Sequence, residues 1–239
     1  TSLTEIAIPD SVTAIDYGTF EGCTGITSIR IPDSVKAIGS NAFAECYKLE
    51  SITIPDGVGE INEYAFRNCD SITEVLIPDS VTRIDHHAFE SCDSLTSMSI
   101  PDTVVFFGNM ALADCYNWID LTIRPVTNAI SEGAFQYNRY IKSVTILDGI
   151  TTIEAKAFSE SQSISEISIP ETVTSIGDYA FYRCWGIRRF VIPASVVSIG
   201  NHAFDQCYGP EICIDKPKDS IPGAGWDAWN PTIKWQGEF

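Results

Sequence analysis

Eight cysteines, three histidines and a regular file of acidic residues are the groups of this 239-residue chain whose spacing could do chemistry. Cys23, Cys46, Cys69, Cys92, Cys115, Cys184 and Cys207 fall on one 23-residue grid, with Asn138 and Ser161 interrupting the file and Cys213 beyond it. Such thiols could bridge or hold a metal. Seven on a grid cannot pair completely, however, and no Cys-x-x-Cys is present, so the spacing favours buried free thiols. Inert core thiols are compatible with either redox compartment. Asp10, Asp33, Asp56, Asp79, Asp102, Asp148 and Glu171 share another column, directly after a proline position. Neighbouring carboxylates about 5 Å apart would repel by about 0.8 kcal/mol per pair in water, so they need a use. Accepting turn N–H groups is the expected one. Calcium is the alternative, weakened by the absence of glycine-rich nonapeptides. His87 and His202 lie five repeats apart, about 25 Å at strand spacing, too far to share zinc. Adjacent His86 and His87 should point differently. With no Ser-His-acid arrangement, phosphate loop or HExxH helix, the chain is expected to be no enzyme and to carry no metal or cofactor.

These groups inherit their spacing from a repeat. Phenylalanine returns at Phe20, Phe43, Phe66, Phe89, Phe135, Phe158, Phe181 and Phe204, with Leu112 standing in once. Proline keeps the same step from Pro9 to Pro101 and again at Pro170 and Pro193. A period of this size means a solenoid, because a unit this small encloses no core and must stack on its neighbours. Written from Ile26, the unit is ITSIRIPDSVKAIGSNAFAECYK. Ile29 and Ile31 alternate with Ser28 and Arg30 as a short strand facing inward. Pro32, which has no N–H for a parallel neighbour, ends it. Val35 and Ile38 form a second inward pair. Ala42, Phe43 and Cys46 suit a single helical or 3₁₀ turn.

The pattern LxxIxIPxxVxxIgxxAFxxC resembles the BspA-like, or treponemal, class of bacterial leucine-rich repeat, in nine copies from Leu3 to about Tyr208. That resemblance implies an α/β, β-rich fold: a right-handed solenoid or horseshoe with a parallel concave sheet and short helical or 3₁₀ turns. The expected division is a repeat body over 1–208 and, over 209–239, a closing strand with a Trp-rich cap. In the tail, Ile212 and Ile214 fit a last strand after a one-residue slip, and Trp226, Trp229 and Trp235 follow. Between Phe106 and Leu147 the pattern is disturbed. Phe107 replaces an Ile, Leu112 a Phe, Trp118 a Leu and Thr127 a Val, which reads as local repacking that conserves volume, or else as a bend or docking point. Thr1 falls just after the cysteine position, so sequence upstream is expected.

The formal charge of −17 repels polyanions, which argues against nucleic acid, and no apolar run approaches the roughly 20 residues that span a bilayer, so no direct membrane insertion is expected. Outward strand positions, among them Arg30, Glu74, Leu76, Asp120 and Glu166, form a hydroxyl-rich candidate concave face. Tyr137, Tyr140, Tyr182, Trp185 and Tyr208, joined by Arg183, Arg188 and Arg189, are the stronger candidate partner-binding patch. They are residue types that anchor interfaces and they reverse the acidic background locally. Packing against the cap would also account for them. The expected role is therefore a noncatalytic binding or adhesion module, with a rigid spacer presenting another domain as the alternative. BspA-like proteins are typically secreted or surface-attached and implicated in attachment. The resemblance thus implies an extracellular or cell-surface setting and a protein or glycan partner on a host matrix or cell.

Overall fold

The computed structural model describes residues 5–125, 127–217, 220–221 and 231–238. The chain divides into two compact units, Thr1–Asn117 and Trp118–Phe239. The boundary falls inside the segment where the repeat is disturbed.

Each coil carries two short strands. The first unit contains β1 (Glu5–Ala7), β2 (Ala14–Ile15), β3 (Ser28–Arg30), β4 (Ala37–Ile38), β5 (Ser51–Thr53), β6 (Glu60–Ile61), β7 (Glu74–Leu76), β8 (Arg83–Ile84), β9 (Ser97–Ser99) and β10 (Phe106–Phe107). They pair in parallel with equivalent strands of neighbouring coils, in sheets β1-β3-β5, β7-β9 and β2-β4-β6-β8-β10: Ile29 faces Ile52, and Ile38 faces Ile61. The second unit continues with β11 (Asp120–Ile123), β12 (Ala129–Ile130), β13 (Ser143–Ile146), β14 (Thr152–Ile153), β15 (Glu166–Ser168), β16 (Ser175–Ile176), β17 (Arg189–Ile192), β18 (Ser198–Ile199), β19 (Glu211–Ile214) and β20 (Thr232–Trp235). The slip expected after Gly209 is present, since Phe190 pairs with Ile212. A further strand follows it, with Ile233 against Ile212. Trp235 is buried there; Trp226 and Trp229 lie outside the described residues.

Both units are parallel β-solenoids, and among the described residues there is no helix. The α/β label and the helical or 3₁₀ turn at Ala42, Phe43 and Cys46 are therefore corrected. A helix would return successive N–H groups to its own chain. Here every second one is spent on the next coil: Phe43 N–H donates to Ala65 C=O, Ala44 N–H returns to Asn41 C=O, and Glu45 N–H donates to Arg67 C=O. Left-handed residues two positions either side of the Phe make this alternation possible, as at Asn41 and Glu45 (φ 55° and 61°) or Tyr64 and Asn68 (φ 58° and 57°). Conformations of that kind cost energy for residues other than glycine, and the inter-coil ladder offsets it. Close approach sets a further limit on the second wall. A Cβ on Gly108 would come within 2.4 Å of the Asp85 backbone.

The core is the stacked phenylalanine file. Phe66 lies 5.3 Å from Phe43 and 5.1 Å from Phe89, with rings nearly parallel. In the second unit Phe158 lies 5.7 Å from Phe135 and 5.4 Å from Phe181. Burying such a side chain is worth about 1.5 to 3 kcal/mol. At the disturbed segment Phe107, Leu112 and Trp118 are all buried too.

Candidate functional site

The chemically suggestive columns prove to be mostly framework. All eight cysteines are free. Cys46 Sγ donates to Phe20 C=O at 3.2 Å, Cys69 to Phe43 C=O at 3.2 Å and Cys184 to Phe158 C=O at 3.2 Å, each reaching the preceding coil. Ser161 makes the same bond with its hydroxyl, to Phe135 C=O at 2.9 Å, so the interruption in the cysteine file conserves the tie. Burial pushes the Cys46, Cys115 and Cys207 thiols up to about 12, which removes the reactive thiolate.

The aspartate file behaves differently from expectation. The turn after the strand is closed by the proline itself, with Val35 N–H donating to Pro32 C=O and Val58 N–H to Pro55 C=O, while Asp33 and Asp56 stand exposed. Next to them, Ser34, Ser80, Thr103, Thr172 and Ser195 give their hydroxyls to a carbonyl of the preceding coil. Hydroxyls are the inter-coil staples here, whereas the carboxylates face water. His87 stacks on Tyr64 at 4.7 Å, and its Nδ1 lies 3.1 Å from Glu90 Oε2. Among the described residues no group of three or more His, Cys, Asp or Glu side chains could hold a metal ion.

The outward strand candidates do not converge. Arg30 sits on β3, 3.8 Å from Asp10, in an exposed pair of little energetic weight. Glu74 and Leu76 lie exposed on β7, Glu166 lies exposed on β15, and Asp120 on β11 accepts from the Ser143 hydroxyl. On the other wall of the second unit, Thr152, Ser175, Gly177, Ser198 and Gly200 line a shallow groove of about 430 Å³. Of its two acidic members, Glu154 already accepts the main-chain N–H of the other, Glu132, at 2.9 Å.

The aromatic candidates split into groups. Trp185 and Tyr208, equivalent positions on successive coils, have ring centroids 5.8 Å apart at 38°. Arg188 Nη1 donates to the Tyr208 C=O at 3.2 Å, which holds the guanidinium beside that pair. Arg183 lies over the Tyr182 ring at 5.0 Å and bridges two coils, with Nη1 on Glu160 Oε1 at 2.8 Å and Nε on Gln206 Oε1 at 2.9 Å. The hydrogen bond and charge of Glu160 raise the Arg183 pKa further. Tyr182 in turn meets Tyr179 edge-on at 5.7 Å, and Tyr179 stacks on His202 at 5.0 Å. Arg189 belongs to β17 and is paired with Glu211 at 3.2 Å, which Lys234 also contacts at 2.8 Å. Tyr137 and Tyr140 are exposed two coils earlier, with the coil bearing Glu160, Gln162 and Ser163 in between. Trp185, Tyr208 and Arg188 thus form the compact part, flanked by Tyr182 and Arg183.

Sequence reasoning missed one grouping. Asp70 and Asp93 occupy, in the first unit, the column that Trp185 and Tyr208 occupy in the second. Burial, then the charges of Asp70 and Asp114, pushes Asp93 up to about 6, and burial raises Asp70 as well. Their 23-residue spacing was the available signal.

Comparison with known proteins agrees with this geometry. None of the curated proteins matches the sequence. A leucine-rich repeat protein from Bacteroides ovatus is 27% identical and superposes with a TM-score of 0.88, over 97% of this chain and 63% of that one. The chain thus spans less than two thirds of that relative. A leucine rich cell surface protein from Faecalibacterium prausnitzii (24% identical, TM-score 0.55, 98% of this chain and 79% of that one) shares the fold. So does the pneumococcal vaccine antigen PcpA (20% identical, TM-score 0.67, 97% and 68%). The family described as BspA type leucine rich repeat region matches in six copies over residues 1–119 and 128–214. This chain therefore belongs to the BspA-type leucine-rich repeat family.

Proposed function

We propose that the chain is a noncatalytic recognition module of a bacterial cell-surface or secreted protein, and that it holds a protein partner through Trp185, Tyr208 and Arg188, with Tyr182 and Arg183 at the margin. The observation that carries this reading is a half-buried tryptophan beside an exposed tyrosine and arginine, held together by their own contacts on a chain with a net charge of −17. Aromatic and arginine side chains supply most of the energy in protein interfaces, and rings already packed on one another lose little freedom on binding. The nucleophiles that a catalytic reading would need are instead buried thiols bonded to backbone carbonyls. A cell-surface setting is supported by family membership and by the name of the Faecalibacterium relative.

The test is a binding screen against extracellular-matrix proteins and glycans, repeated with Trp185→Ala and Arg188→Ala. Captured protein should bind either variant at least about tenfold more weakly, the loss of a modest hot spot. Thermal unfolding should move by no more than a few degrees. A wild-type chain that captures no protein, or variants that bind equally well, would refute the reading.

A further inference from the structure

Arg183, Arg188 and Arg189 lie close to Trp185 in the sequence, and they differ in how their charge is met. Arg183 is neutralised by Glu160 and tied to Gln206. Arg189 is neutralised by Glu211. Arg188 is exposed and gives one N–H to the Tyr208 carbonyl, and among the described residues no carboxylate pairs with it. It is therefore oriented by the main chain, while its charge and its other donors are not matched within the described protein. Beside it the Trp185 and Tyr208 rings are tilted by 38° rather than stacked face to face, and Tyr208 keeps 45% of its surface exposed.

We infer that the ligand of this patch is a peptide segment presenting one isolated carboxylate, an Asp, a Glu or a chain terminus, next to an apolar side chain. The inference rests on the recognition role proposed above and names what that surface reads. A carboxylate matches the planar fork of a guanidinium and accepts charge-assisted hydrogen bonds from it. The tilted ring pair takes the apolar neighbour, since aromatic faces contribute large, rigid contact area. The rest of the molecule sets the other half of the specificity. With a net charge of −17, the chain repels a polyanion before contact, so a run of acidic residues, a sulfated polysaccharide or a nucleic acid is disfavoured, whereas one carboxylate on a neutral or basic partner is not. Long-range charge thus turns away the wrong ligand while a short-range anchor holds the right one.

A displayed library of random peptides, panned on the wild-type chain, tests this directly. Selected peptides should be enriched in Asp or Glu adjacent to Leu, Phe or Trp. A synthetic peptide from the winners should lose about tenfold in affinity on Arg188→Gln, and a similar factor when its own Glu is changed to Gln. The two changes together should cost little more than either alone, because both remove one interaction. Heparin should not compete. Peptides that depend on Trp185, yet bind Arg188→Gln as well as wild type, would overturn the carboxylate and leave the recognition surface standing. Winners indifferent to Trp185→Ala would overturn both. Tyr208→Ala, checked by circular dichroism, serves the same purpose if Trp185→Ala fails to fold. Tight, Arg188-dependent heparin binding would also overturn the inference, since it would show that the background charge excludes nothing.

Discussion

The two units share a framework and differ on one column of their turn walls. In the first, the position after the cysteine is filled by Thr24, Tyr47, Asp70, Asp93 and Tyr116; in the second, the same grid position holds Arg139, Gln162, Trp185 and Tyr208. The same backbone geometry thus carries a crowded carboxylate ladder in one unit, extended by Asp114, which accepts from Ser91 at 3.3 Å, and an aromatic and cationic cluster in the other. The difference teaches where the fold leaves freedom. Phe, the thiol or its hydroxyl substitute and the left-handed turn residues are all engaged in stacking one coil on the next, while the Pro carbonyl closes the turn within its own coil. The residue one step beyond the thiol ties coils through its main chain, as Asp70 C=O does in accepting from Ser94 N–H and Gln162 C=O in accepting from Gly186 N–H, so its side chain varies in charge and size without disturbing the coil.

If the frameworks are equivalent, the deepest cut should hurt both alike. Phe66→Ala and Phe158→Ala each remove a ring that is fully buried between two others, and each should cost about 3 to 5 kcal/mol through lost contacts and a cavity. Chemical denaturation of the two variants measures it. A large loss in one and almost none in the other would break the comparison, because it would mean that one file of rings contributes little.

Such framework positions were legible in the sequence because they repeat. The inward Ile29 and Ile38, the Phe file and the buried thiols could all be read from a 23-residue step. The conformation of the turn could not. Left-handed backbone falls on Tyr64, His87, Met110, Lys156 and Tyr179, residue types that carry no turn signal, and they hold it only because the next coil supplies acceptors. Local spacing of Ala, Phe and Cys therefore suggested a helix that inter-coil bonding forbids. The last strand, Thr232–Trp235, escaped notice for a related reason: its register to Ile212 has slipped to a 21-residue step. At the site, the sequence placed Trp185 and Tyr208 in one candidate patch. It could not tell Arg188 from Arg189, since the choice between a ring-flanking carbonyl and a strand-borne glutamate depends on where the loop becomes β17. The aspartate column was misread because Pro32 C=O already closes the turn that Asp33 was expected to close.

The carboxylate ladder offers a medium-sized test. Asp93 is pushed up from 3.8 to about 6 by burial, Asp70 and Asp114. A raised acid binds its proton more tightly in the folded state. Its contribution to stability is complete below about 3.9, the unfolded value, and is lost as pH rises through about 6. Asp93→Asn should therefore stabilise the protein at pH 7.5 relative to wild type, with the advantage vanishing by pH 4. A shift of this size corresponds to about 3 kcal/mol without screening, which partial exposure reduces to about 1 kcal/mol. Gln162, the equivalent position in the second unit, has no acidic column neighbour, because Arg139 and Trp185 flank it. Its substitution by Asn should leave the pH profile of unfolding unchanged. A pH-independent effect of Asp93→Asn would remove the ladder from the comparison.

The smallest effect concerns the thiols, and it asks whether the two units use one tie or two. Cys92 donates to Phe66 C=O at 3.3 Å in the first unit, and Ser161 donates to Phe135 C=O at 2.9 Å in the second. If the hydroxyl and the thiol are interchangeable there, Cys92→Ser and Ser161→Cys should each change stability by less than about 1 kcal/mol. Ser161→Ala should cost about 0.5 to 1.5 kcal/mol for the lost buried bond. Alkylation of the native protein adds a chemical readout. Cys23 is the only partly exposed thiol, while Cys46, Cys69, Cys92, Cys115, Cys184, Cys207 and Cys213 are buried. Native labelling should stop at one thiol and denatured labelling should reach all eight. Labelling of Cys69 or Cys184 without unfolding would mean that the file opens locally, and the thiol ties would then be weaker than the Phe files they flank.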